Sequence, residues 1–175
     1  MKILFILWES WSGKTTLEKY LVDNHWFKTF DKLSSRPPRD DDSGYTHFPA
    51  KQITDMYVDG LVHECIKFDW NIYAMRIPNG NPNDKYVAVM VPSGYHQMLD
   101  LWIQDGNEVY SIFMTNNKCR EWMEKRWDSK ESIERRMILN ERLMKHSGSH
   151  DVINVERWAE CITHTLSLLY PRLFL

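Results

Sequence analysis

A short, unbroken apolar run that leads straight into a Ser-Gly-Lys-Thr-Thr turn limits the possible folds of this chain more than any other feature. Residues 2–8, KILFILW, carry large apolar side chains at every position after Lys2. The run lacks the alternation of a half-exposed strand, so it predicts a strand covered on both faces, as in parallel sheets. Ser12-Gly13-Lys14-Thr15-Thr16 follows, and Leu17, Tyr20 and Leu21 then recur at helical spacing. A glycine in such a turn lets backbone N–H groups converge on an oxyanion, and the helix start adds its positive dipole end. In this context Lys14 reaches the β- and γ-phosphates of ATP, and the Thr15 hydroxyl ligates Mg²⁺. Ser12, Gly13, Lys14, Thr15 and Thr16 are therefore the expected nucleotide-binding set, with Lys14 catalytic and Thr15 the metal ligand. The pattern G-x-x-x-x-G-K-[ST] is met only in part, because its first glycine position holds Trp8.

Further along, strand and helix signals alternate. Residues 28–35 read as a second short strand, while SRPPRDDDSGY (35–45) is a loop because Pro37, Pro38, an acidic run and Gly44 fall together. Residues 50–59 have a helical pattern that closes on Gly60. LVHECIKF (61–68) alternates like a strand of a small subdomain. YVAVMV (86–91) and EVYSIFM (108–114) read as buried strands, with a helix between the Pro-Ser-Gly exit and Ile103. A long charged helical stretch covers 117–145, with a break near Trp127-Asp128-Ser129; DVINV (151–155) is a last strand and 156–169 a last helix. This order predicts an α/β fold whose mostly parallel sheet is flanked by helices.

The chain's 175 residues suit one domain, and 43% hydrophobic with 26% charged residues is a globular balance. A net charge of −2 offers no global attraction to nucleic acid or an anionic membrane, so a nucleic-acid partner stays open only through a local patch. Cys65, Cys119 and Cys161 are odd in number and lack metal-site spacing, which suits reduced thiols. The N-terminal apolar run is too short for a signal peptide or a membrane span, so a cytoplasmic protein without membrane contact is expected.

Several later segments resemble the guanylate kinase family over nearly the whole chain. The family's T-T-R-x-P-R is similar to Ser34-Ser35-Arg36-Pro37-Pro38-Arg39, followed by DDDSG and an aromatic stretch from Tyr45 to Phe48. The resemblance implies that Ser35, Arg36 and Arg39 hold the acceptor's phosphate, a task suited to guanidinium forks. F-I-E-W…N-Y-Y-G-[ST] resembles Val62-His63-Glu64-Cys65…Asn71-Ile72-Tyr73-Ala74-Met75, with the glutamate-to-tyrosine spacing kept. By that resemblance Glu64 accepts from guanine N1–H and N2–H, Tyr73 bonds the acceptor phosphate and Met75 lies beside the base. The family's D-Y-x-F tyrosine falls on Tyr45, Thr46 or His47. Glu131-Ser132-Ile133-Glu134-Arg135-Arg136-Met137 resembles the lid pattern E-S-I-N-K-R-L, which makes Arg136, with Arg126 upstream, the expected phosphate clamps. His150-Asp151-Val152-Ile153-Asn154 is similar to H-D-x-V-I-x-N, which implies that Asn154 lies by the adenine of ATP.

Departures from the family pattern concentrate on base recognition. Met75 stands where the family has a Ser or Thr that reads guanine O6, and Val91 where it has an aspartate; the loop glycines are replaced by Trp8 and Trp11. A site that hydrogen-bonds one base edge discriminates by ~10⁴ or more and an apolar one only weakly, so base preference is expected to be relaxed or changed. The expected organisation is a P-loop kinase core (1–33, 85–115, 138–175), an acceptor-binding insert (34–84) and a helical lid (116–137). The expected activity is ATP- and Mg²⁺-dependent phosphorylation of a small nucleotide, GMP, dGMP or another deoxynucleoside monophosphate, by a monomer or homodimer. A kinase of the same fold acting on a sugar phosphate or a DNA hydroxyl, and a non-enzymatic binding module, stay open.

Overall fold

β1 (Lys2–Trp8) is the middle strand of the molecule, and Ile3 through Leu7 have no solvent exposure. The computed structural model describes residues 1–8, 13–38, 44–68, 70–76, 80–91, 94–95, 98–99, 103, 106–116, 118–125, 128–144, 151–154 and 159–174. β1 pairs in parallel with β7 (Lys85–Met90) on one side and β8 (Glu108–Thr115) on the other. β2 (Phe27–Thr29) and β9 (Asp151–Asn154) complete an all-parallel five-stranded sheet of order β2-β7-β1-β8-β9. Its strands divide their side chains strictly by parity. Ile3, Phe5 and Leu7 join Ala88, Met90, Phe113, Tyr95 and Met98 on one face. Leu4 and Ile6 join Val87, Val89, Ile112 and Met114 on the other. There they meet Leu17 and Leu21 of α1 (Lys14–His25) and Ile162 and Leu166 of α5 (Ala159–Leu169). Cover on both faces is why β1 reads as continuous rather than alternating apolar sequence.

A second sheet, of order β4-β3-β6-β5, carries the insert. It contains β3 (Asp31–Ser34), β4 (Tyr45–His47), β5 (Glu64–Phe68) and β6 (Asn71–Arg76). One face covers α2 (Ala50–Val58) through Leu33, Ile53, Val62 and Ala74. The single strand expected over 28–35 is in fact two: β2 belongs to the core sheet and β3 to the insert, with Phe30 between them. Phe30 is buried against Phe5 and Tyr86, so the chain changes sheets at an anchored side chain. The second sheet thus starts at Asp31. The expected break in the charged helical stretch lies between α3 (Cys119–Lys125) and α4 (Lys130–Met144). Arg120 ties the two helices by a 2.9 Å ion pair to Glu134. A last short helix, α6 (Pro171–Phe174), closes the chain, and no described helix is long and apolar enough to cross a membrane.

Candidate active site

α1 begins directly after Gly13, which sits at φ 78°. That left-handed conformation carries a steric penalty for any residue with a Cβ, which explains the glycine. Gly13 offers no side-chain cap and no acidic residue lies in the first turn, so the positive end of the helix suits an external anion. Lys14 is the first helical residue; Thr15 and Thr16 are exposed beside it. Burial and the nearby Arg136 guanidinium of α4 lower the Lys14 ammonium to about 8, against the opposing pull of Glu18. Arg136 and Lys14, far apart in sequence, are therefore electrostatic neighbours. Arg136 is in turn 3.7 Å from the carboxylate of Asp128, in the link between α3 and α4.

Which residues share a face of the second sheet follows from strand register. Tyr45 is opposite Lys32, Lys32 opposite Met75, and Met75 opposite Glu64. In-register neighbours share a face, so these four form one row across the second sheet. The row one pleat along is His47, Ser34, Tyr73 and Ile66. Thr46 pairs with Leu33 and lies on the opposite, α2-facing side. Of the three candidates for the acceptor-site tyrosine position, Tyr45 has the closest company: its ring meets Tyr73 edge-on at 6.3 Å, and the Arg36 guanidinium sits 5.5 Å over it. Burial and the Glu18 carboxylate push the Tyr45 hydroxyl well above its usual range, so it stays a donor.

Glu64 is buried, and burial alone raises its carboxyl to about 7. Its carboxylate occupies the space above Gly94, where a Cβ would lie 1.6 Å from Oε1. Met75 is buried with Phe5, Phe30 and Tyr95, so its thioether is part of the core as well as of the row. Ser35 has a local task, since its hydroxyl accepts from the Ile72 N–H at 2.8 Å and its N–H donates to the Ile72 carbonyl at 2.8 Å. These bonds fix the chain entering Arg36. Ser12, Trp11, Arg39 and Arg126 lie outside the described residues. The backbone of Asn154, the last residue of β9, pairs with Thr115 at the edge of the core sheet.

Two residues missing from the expected set stand at the centre of this arrangement. Glu18, one helical turn after Lys14, forms a buried ion pair with Lys32 of β3. The Lys32 ammonium also lies 5.7 Å from the Tyr45 ring centre, which places two cations around one tyrosine. The i,i+4 spacing of Lys14 and Glu18 was a readable signal; the partner on β3 was not. No described group of three His, Cys, Asp or Glu side chains could hold a metal ion. An exposed threonine hydroxyl such as that of Thr15 would suit a magnesium ion carried by nucleotide phosphates, because Mg²⁺ keeps several waters and takes few protein ligands.

Neither a family model nor a curated protein matches the chain. Among solved structures it is similar to guanylate kinase from Anaplasma phagocytophilum, with a TM-score of 0.73 and 16% sequence identity, over 100% of this chain and 86% of that one. At that identity the likeness is one of fold. The chain has an α/β fold, a parallel sheet flanked by helices, like that of this guanylate kinase.

Proposed function

We propose that this protein is an ATP- and Mg²⁺-dependent nucleoside monophosphate kinase that forms a diphosphate from GMP, dGMP or another deoxynucleoside monophosphate. The observation that carries this reading is the position of Glu18, which lies one turn from Lys14 at the phosphate loop and is ion-paired with Lys32 on the insert. On this reading the donor phosphates and the acceptor would lie on either side of one carboxylate, the proximity that direct phosphoryl transfer needs.

In the proposed reaction an oxygen of the acceptor's phosphate attacks the γ-phosphorus of ATP in line; the bond to the β,γ-bridging oxygen breaks and ADP leaves with that electron pair. Lys14 and Arg136 offset the charge on the transferring group, while Arg36, Arg39 and Tyr73 hold the acceptor phosphate. Magnesium, when bound beside Thr15, neutralises charge on the donor's phosphates. Asn154 and Ser12 complete the donor side, and Arg126 is the second lid clamp.

ADP release measured against a panel of ribo- and deoxynucleoside monophosphates tests the reading, with Lys14→Ala as control. Turnover of one or more members that drops by several orders of magnitude in the variant is expected. Equal turnover by the variant, or none by the native chain, refutes it. A second reading, an acceptor other than guanylate, is favoured by Met75, which brings a buried thioether and no hydroxyl to the base-side row.

A further inference from the structure

Met75 removes a hydrogen-bonding hydroxyl from the row that reads the acceptor, yet the same row contains a stronger donor one strand away. Lys32 is opposite Met75 on one side and Glu64 is opposite it on the other. Strands lie about 4.8 Å apart, so the backbones of Lys32 and Glu64 are about 10 Å from each other across Met75, and both side chains can reach one base edge only if Met75 yields. Both are buried, at 4% and 5% exposure. Among the described residues Glu18 is the hydrogen-bond acceptor of Lys32, and an ammonium has three N–H donors, so donors remain for a ligand. A buried ion pair costs desolvation that a pair of apolar residues would avoid, so its presence between helix α1 and the acceptor floor needs a reason beyond stability.

Resting on the proposed kinase activity, we infer that Lys32 is a base-reading residue, held by Glu18, which together with Glu64 selects bases that present a carbonyl next to a ring N–H. The Lys32 ammonium donates to the carbonyl and Glu64 accepts from the N–H, while Met75 packs between them. Guanine (O6 with N1–H) and thymine or uracil (O4 with N3–H) offer that edge. Adenine and cytosine offer an amino group next to a bare ring nitrogen, so they face Lys32 donor to donor and leave Glu64 without its N–H. The acceptor class is therefore the keto-base monophosphates, purine and pyrimidine alike, because Met75 is a flexible side chain that imposes no hydrogen bond of its own.

The test is kcat/KM for dGMP, dTMP, dAMP and dCMP with the native chain, Lys32→Met and the double variant Glu18→Met/Lys32→Met. The native chain is expected to prefer dGMP and dTMP. Lys32→Met should lower both by about tenfold or more, the worth of a charge-assisted hydrogen bond, without moving the ATP KM. The single variant also strands a buried carboxylate; the double variant removes that charge and should regain melting temperature. If the double variant regains the keto preference along with stability, Lys32 is only structural and the inference is overturned. A native chain that uses all four bases alike, or prefers dAMP or dCMP, overturns it too while leaving the kinase reading intact. No turnover of any of the four, nor of the wider panel, defeats the kinase reading and this inference with it. Should Lys32→Met fail to fold, the native chain decides alone through 6-thio-dGMP, which keeps the N1–H for Glu64 but replaces the carbonyl by a weakly accepting thiocarbonyl: poorer use than dGMP supports the inference, and equal use overturns it.

Discussion

Lys14 is held with its ammonium desolvated and beside Arg136, and both conditions favour the neutral amine. Glu64, buried beside Gly94, is likewise held toward its neutral form. On the proposed reading, donor binding needs Lys14 charged and base recognition needs Glu64 ionised. The expected pH profile of kcat/KM for a keto-base acceptor therefore rises through about pH 7, where Glu64 loses its proton, and falls above about pH 8, where Lys14 does. Glu64→Gln should remove the acid limb, and Arg136→Gln should move the alkaline limb upward, since one lowering influence is gone. An alkaline limb unchanged in Arg136→Gln would contradict the neighbourhood of the two cations. Stability follows a different sign. The Glu64 pKa is raised in the fold, so between 4.5 and about 7 the folded state binds more protons than the unfolded one. Its contribution is full below 4.5 and is lost as pH rises through about 7, and Glu64→Gln should flatten the melting temperature across that window. At neutral pH Lys14→Met should melt higher than the native chain while losing turnover, because it removes a desolvated charge held near another cation.

At the scale of elements, strand β5 meets the helical turn of Gly94 and Tyr95 through a glycine. Alanine there would drive a Cβ into the Glu64 carboxylate, whose flexible end can swing aside. Gly94→Ala should therefore raise the acceptor KM far more than the ATP KM, with little loss of melting temperature; an unchanged acceptor KM would remove Glu64 from the binding floor. Much of this element order was readable in advance. β1, the turn and α1 follow from a run of apolar residues bounded by Gly13, and β7 and β8 from the same continuous pattern. The division of 28–35 into two strands was not readable, because Phe30 continues the local pattern and only its contacts with Phe5 and Tyr86 reveal a change of sheet. Lys32 was invisible as a site residue for a related reason. A lysine in a short strand looks like a solvent-facing residue until its partner, Glu18 on another element, is in place.

Across the whole molecule, apolar burial is uneven. The core sheet is sandwiched between two large clusters, whereas the insert rests on Leu33, Ile53, Val62 and Ala74 with a partly buried rim. Fewer buried contacts predict a lower free energy of local opening. In hydrogen exchange, amides of β4, β5 and β6 should exchange faster than those of β1, β7 and β8, and equal protection would mean that the two sheets open as one unit. The buried Phe30, where the chain passes between those sheets, bears on how such a unit can move. A ring wedged between Phe5 and Tyr86 acts as a pin rather than a slack cord, so the first of the chain's two crossings between the sheets is anchored to the core. The second sheet is thereby moored twice at its start, by the Phe30 ring and by the Lys32–Glu18 ion pair two residues on, so whatever moves it must work against both.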